Sequence, residues 1–385
     1  MINIKIKTLT SIHIGSGETL QYGNDFVRGT SKNGEYFIGI VDPAKVMKLI
    51  GEENIGNWVF AIEKKESTAN IVKKYAPKAT FEDYSKRIII ECSIAKSTDT
   101  LKEYIHDGMG RPYIPGSSIK GAIRTAVLSS IIGNEINVDE TKLYTLNKDG
   151  SIKKDKKGNP IVKADEYEKK YLGKDSRNIN YDIFRILHVS DALLGQNYEL
   201  AVRMVNINER KTQSFWDISK QQLIEVIGPD DTSEFQMKMD LDSYKLAKGN
   251  NAIHTLPECM KDNEALFETI NKYTLSQIKK EIDYWKERAV EDPEGSVDSY
   301  IEEMEIIKSE AEKCIPGKSC ILRLGHGSGW RFITGAWTED FNDFDSVIVP
   351  ASRPNNQKYT EYDFPKSRRV SSSCELLGFV KLSVS

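Results

Sequence analysis

Cysteine is scarce and scattered. The five cysteines, Cys92, Cys259, Cys314, Cys320 and Cys374, form no CxxC pair and are odd in number. That argues against a thiolate zinc site and against a disulfide framework. Long apolar runs are also missing, and no stretch approaches the roughly 18 apolar residues of a membrane span. The opening MINIKIKTLTSIHIGSG alternates as a strand does and lacks the apolar core of a signal peptide. A reducing, cytoplasmic location is the expectation. Nor is there a surplus of positive charge: the net charge is −3. Free-standing nucleic-acid binders are usually basic, so any nucleic-acid surface must be local and balanced by acid elsewhere, where protein partners can dock. What is present, 385 residues with 39% hydrophobic content, suffices for two domains.

The apolar pattern reads as strands broken by helices. Residues 2–14 alternate as a half-buried strand and end at Gly15-Ser16-Gly17. Residues 35–41, 87–95, 183–189, 198–207, 234–241, 319–324 and 375–383 read as further strands, whereas 45–50 and about 212–227, with Ser214 as cap, read as helices. From 256 to 313 the pattern is helical and acidic, with stripes through Ile278, Ile282 and Trp285 and through Ile301, Met304 and Ile307 that suit core packing. Residues 147–178 are rich in lysine and poor in apolar side chains, as in a solvated hairpin or a basic arm that orders on nucleic acid. The expected fold class is α+β, with two ferredoxin-like (RRM-like) domains carrying helical and loop insertions. The first spans 1–205 with insertions near 50–90 and 135–180, and the second spans 206–385 with a helical insertion near 245–315.

Three stretches carry the chemistry. The first is YIPGSSIKGAIRT, residues 113–125, a loop that turns into a helix. Gly116, Ser117 and Ser118 open the helix, whose N-terminal N–H groups attract anions. Lys120 and Arg124 share one face four residues apart, and Arg111 and Tyr113 precede them. The second is RLGHGSGWR, with Gly325, Gly327 and Gly329 flanked by Arg323, His326, Trp330 and Arg331. Glycines let backbone approach phosphates, and Trp330 can stack a base. The third is Gly15, Ser16 and Gly17 beside His13; Arg28 is a weaker basic candidate. Each also has a plain structural reading: a capped helix, a tight turn over a buried Trp330, a strand end. The GxGxG spacing is no dinucleotide fingerprint, and GSSIKG is no P-loop, so neither a nucleotide cofactor nor ATP hydrolysis is expected.

The ordered set of IHIGSG (12–17), PGSSIKGAIRT (115–125), HVSDA (188–192), RLGHGSGW (323–330) and the terminal LGFVKLSV (377–384) resembles the RAMP superfamily of CRISPR RNA-binding proteins. Order and spacing are most similar to its type III-A (Csm) members that cap the crRNA 3′ end. The resemblance is weakest over 50–90, 135–180 and 245–315. It implies two ferredoxin-like domains docked on a stack of backbone RAMP subunits, a grip on the 3′ part of the guide, and a contribution to crRNA maturation through recruited cellular nucleases, in antiviral defence.

Catalysis has less support. Metal-independent RNA cleavage needs a general acid and base, and His13, His106 and His188 are the candidates in the first half of the chain. The alternative reading is therefore a RAMP endoribonuclease that processes repeat RNA with a histidine acid/base. Asp25, Asp107 and Asp191 are isolated and match no metal-nuclease pattern. Asp191, after a strand, reads as a structural cap. The expectation is a non-catalytic binding subunit with no metal and no cofactor.

Overall fold

Apolar alternation at Ile4 and Ile6 and at Val380 and Leu382 turns one face of each terminal strand into core. Those two strands pair with each other, so the two ends of the chain are hydrogen-bonded side by side. In the computed structural model the described residues are 1–31, 33–133, 143–156, 158–163, 165–173, 179–195, 197, 199–208, 215–250, 253–289, 295–333, 335–352, 364–365 and 367–385.

In chain order the strands are β1 (Ile2–Thr8), β2 (Gly15–Gln21), β3 (Phe26–Thr30), β4 (Tyr36–Val41), β5 (Ser85–Glu91), β6 (Thr100–Tyr104), β7 (Tyr113–Ile114), β8 (Leu187–Val189), β9 (Ala192–Leu193), β10 (Glu199–Asn208), β11 (Trp216–Ile227), β12 (Thr232–Met239), β13 (Ser319–Arg323), β14 (Ser367–Ser371) and β15 (Phe379–Val384). The helices are α1 (Pro43–Ile50), α2 (Ile55–Glu63), α3 (Thr68–Tyr75), α4 (Gly116–Gly133), α5 (Asp165–Tyr171), α6 (Leu241–Gly249), α7 (Asn263–Lys286), α8 (Ser296–Glu312) and α9 (Val349–Ser352).

One sheet runs β13-β15-β1-β12-β8; the other runs β2-β6-β11-β10-β5-β4-β3, with β14 also paired to β10. The α+β class expected from the sequence stands. Helices α4 and α7 cover the first sheet, burying Ile119, Ile123, Leu266 and Ile270 against Ile4, Leu322 and Leu382. A second core joins α7 and α8 to β10, β13, β14 and β15 through Trp285, Tyr300, Val205, Ile321, Val370 and Phe379. The acidic helical stretch is thus a core layer. Helices α1 to α3 form a satellite core with Val27 and Val41. A division at 205/206 passes through β10, and both sheets draw strands from both sides of it.

Three local expectations change. Residues 216–227 form strand β11, not a helix: the run Leu223 to Ile227 pairs residue by residue with β10, and tertiary pairing overrides a pattern that also suited a helix turn. Residues 212–214, including Ser214, lie outside the described residues. Ile183–Ile186 form a 3₁₀ turn capped by the Asp182 carboxylate, which leaves only Leu187–Val189 as strand. The first strand stops at Thr8, and residues 9–14 cross between the sheets, with Ile12 bridged to Ile227. Among the described residues of the lysine-rich stretch, isolated bridges Leu146↔Ile152 and Lys154↔Pro160 make a hairpin-like loop before α5; Lys157 and Lys174 fall outside them. No described helix is long and apolar enough to cross a membrane, and the described cysteines are free thiols.

Candidate nucleic-acid interface

The loop–helix at 113–125 is placed by a two-strand ladder. Ile114 pairs with Ala192, which carries Asp191 to the start of α4. The Gly116 N–H donates to the Asp191 carboxylate at 2.7 Å. A Cβ on Gly116 would lie 2.2 Å from the Val189 carbonyl oxygen, so only glycine permits this approach. The anion at this helix start is the protein's own carboxylate, a cap supplied from a distant segment. Asp191→Ala should cost about 0.5–2 kcal/mol as other lost N-caps do; a urea midpoint unchanged from the parent chain would contradict it.

Arg124 is likewise engaged inside the protein, 2.6 Å from Asp182 and 3.6 Å from Glu168, with its guanidinium over Phe184. Lys120, on the same helix face, has no ion pair within 4 Å among the described residues. It lines a groove of about 460 Å³ with Ser117, His188, Ser190, Gln236 and Lys238 along the β8 edge. Partial burial, the larger effect, and Arg124 lower its pKa while Asp182 opposes them. Ser118 is half-buried. Arg111 is exposed but held by Asp107 at 2.7 Å.

The glycine-rich loop revises the reading of its two arginines. Arg323 is buried between the rings of Phe332 and Phe379 and donates to the Leu377 carbonyl. Arg331 is buried against Glu281 at 2.9 Å and Glu339 at 2.6 Å. Neither guanidinium is presented to solvent: Arg331 is ion-paired in the core, and Arg323 is enclosed by the two rings and the Leu377 carbonyl. Trp330 packs edge-on to Phe364, 5.0 Å between ring centres, and beside Phe344. The plain structural reading holds for its ring.

Two of the three stretches do meet. The His326 N–H donates to the His13 carbonyl at 2.9 Å. A Cβ on Gly325 would come within 2.6 Å of that same carbonyl oxygen, and one on Gly327 within 2.9 Å of Leu377 Cδ1 and 3.4 Å of Met204 Sδ. The φ angle is +86° at Gly325 and +88° at Gly327, in the left-handed region that glycine tolerates. The loop therefore lies flat against the sheet, and its glycines serve close approach to the protein itself. Gly15, Ser16 and Gly17 begin the exposed strand β2 just beyond His13. His326 is an exposed residue whose ring, 5.8 Å from that of His13, is turned toward the protein and partly shielded from water.

Two cations flanking this loop carried no sequence signal. Lys102 lies on β6 and Arg369 on β14, and neither has a carboxylate partner within 4 Å among the described residues; Arg369 has Gln222 Oε1 and Met204 Sδ as neighbours. Their effect is visible in the imidazoles. His326 is pushed down to about 4, first by loss of hydration and then by Arg369, His13 and Lys102. His13, buried with its Nδ1 2.6 Å from the Glu225 carbonyl, is lowered mainly by burial. The result is a patch of positive potential on an exposed glycine-backed surface, with Ser16 at its edge hydrogen-bonded to Glu103.

The other histidines lie apart from it. His106 is 3.1 Å from Glu199, and the exposed His188 is 3.9 Å from Asp240 on the first sheet.

A two-sheet α+β chain whose glycine loop and glycine strand start converge between such cations is suited to backbone-phosphate recognition by shape and charge. A family model described as the RAMP superfamily matches residues 5–332, and the chain belongs to that superfamily. Solved structures share the fold. One is a chain of a Csm–crRNA–target RNA ternary complex of a type III-A CRISPR-Cas system, 19% identical, with a TM-score of 0.68 over 100% of both chains. Another is Csm5 of T. onnurineus, 20% identical, with a TM-score of 0.62 over 98% of this chain and 99% of that one. No curated protein sequence matches the chain.

Proposed function

We propose that this chain is a crRNA-binding subunit of a type III-A (Csm) effector complex, capping the 3′ part of the guide beside a backbone RAMP subunit. Its part in crRNA maturation is to hold the guide end where cellular nucleases trim it, in antiviral defence in the cytoplasm. The observation that carries the reading is the convergence at His13 of Gly15–Gly17 and Gly325–Gly329 between Lys102 and Arg369, which have no carboxylate within 4 Å among the described residues. The open space beside Gly17 gives RNA phosphates room, and the two cations attract them. Ser117 and Lys120 offer a second contact along the β8 groove.

The binding reading is favoured over the endoribonuclease one by the state of the paired imidazoles. Both His13 and His326 are held below the usual histidine range. A lowered pKa disfavours the protonated imidazole that a general acid must supply to the leaving oxygen. The test is purification of the assembled complex with its RNA. A ladder of short guides bound with an affinity that falls steeply with salt, by about 0.7 in log–log slope per phosphate contact, is the expected result. Metal-independent cleavage of repeat RNA by the isolated chain, lost on His13→Ala or His326→Ala, would favour the nuclease instead.

A further inference from the structure

On the second sheet, β6, β10 and β11 bring together side chains that the proposed RNA contacts do not use. His106 Nε2, a Glu199 carboxylate oxygen and a Glu225 carboxylate oxygen all lie within 4.8 Å of one another. We propose that His106, Glu199 and Glu225 bind a first-row divalent cation of the zinc or manganese class.

The free lone pairs support it. Glu225 Oε2 is saturated, accepting from Arg87 Nη2 at 2.8 Å and from the Tyr104 N–H at 2.9 Å. Its Oε1 accepts from Arg87 Nε at 3.0 Å, which leaves one lone pair. Glu199 Oε2 makes no hydrogen bond, although Arg87 Nε stands 3.3 Å away. His106 Nε2 touches Glu199 Oε1, a contact an ion can replace. One imidazole and two carboxylates suit zinc or manganese at bonds of roughly 2.0–2.2 Å, and the set closes by side-chain rotation of His106 and Glu199.

A second observation points to a missing partner. The Tyr104 hydroxyl is fully buried and has no hydrogen-bond partner. The charges that act on it are the carboxylates of Glu199, Asp231 and Glu225. Asp231 Oδ1 is also buried and unpartnered, while its Oδ2 accepts the Gly195 and Asn197 N–H groups. Buried polar groups are otherwise almost always satisfied. A divalent ion with a bound water gives the Tyr104 hydroxyl its partner.

The test is calorimetric titration of the full chain, stripped with chelator, with Zn²⁺ or Mn²⁺, using Mg²⁺ for comparison. One ion per chain is expected for Zn²⁺ or Mn²⁺, with Mg²⁺ much weaker. Glu225→Gln would disturb the half-buried Arg87 as well, so the variants are His106→Asn and Glu199→Gln, both at partly exposed positions. Each should weaken binding at least tenfold while circular dichroism stays that of the parent. Failure of the parent chain to bind either ion, or an affinity in both variants unchanged from the parent, would overturn the proposal.

Discussion

Glu281→Gln should destabilise the chain by about 3–5 kcal/mol, as breaking a buried ion pair does when it strands the partner charge. Glu281, on α7, is buried and accepts from Arg331 Nη1 at 2.9 Å, Arg368 Nε at 2.5 Å and the Tyr300 hydroxyl at 2.9 Å. Arg323 is buried close by, with Tyr300 and Glu281 among the groups that act on it. Without the Glu281 carboxylate, Arg331 would keep Glu339, whereas Arg368 would lose its only carboxylate partner among the described residues. The pH dependence follows. Burial opposes the charge of Glu281, but Arg368 and Arg331 outweigh it and hold its pKa at about 2, below the ordinary 4.5. A lowered folded-state pKa contributes stability that is complete above the ordinary value and is lost as pH falls from about 4.5 toward 2. The gap between parent and Glu281→Gln in urea midpoint should therefore be wide at pH 7 and shrink by about pH 3. Equal midpoints at pH 7 would show that the network is not what holds α7, α8 and β14 together.

Replacing Lys102 and Arg369 together with alanine should weaken guide binding on the order of tenfold to a hundredfold and lower the salt slope by about 1.4, two phosphate contacts' worth. Neither cation has a carboxylate to lose among the described residues, so the fold should be little disturbed; removing two positive charges beside His326 should let its pKa rise from about 4. That rise, followed by NMR titration of the imidazole, reports the electrostatics independently of RNA. Unchanged binding and slope together with a risen His326 would move the RNA path off this surface. Arg124→Ala makes a useful contrast: its partners are Asp182 and Glu168, so a loss of stability rather than of salt slope is expected.

Much of the fold was legible because period-2 apolar patterning is a local signal. The terminal strands, β4, β12 and β13 were read as strand-type apolar runs, and the long helices from apolar stripes at the 3.6-residue period. Strand β11 did not, since LIEVI suits a buried helix turn as well as a buried strand, and pairing with β10 decides between them. The motifs were legible as glycine and cation clusters, but the direction of each side chain was not. Arg323, Arg331 and Trp330 look in sequence like ligand groups and are packed inward, whereas Lys102 and Arg369, in ordinary strand contexts, flank the loop.

Residue type and short-range order were enough for the α+β class, for the glycine positions that a close backbone approach demands, and for the resemblance to RAMP proteins. Which charges are free was settled only by the folded chain. A cation's availability depends on whether a carboxylate lies within a few ångströms. The carboxylates concerned come from segments far along the chain: Asp182 for Arg124 and Glu281 for Arg331 and Arg368, just as Asp191 reaches across to the N–H of Gly116. The same long-range pairing of β6, β10 and β11 gathers His106, Glu199 and Glu225 from positions that share no spacing.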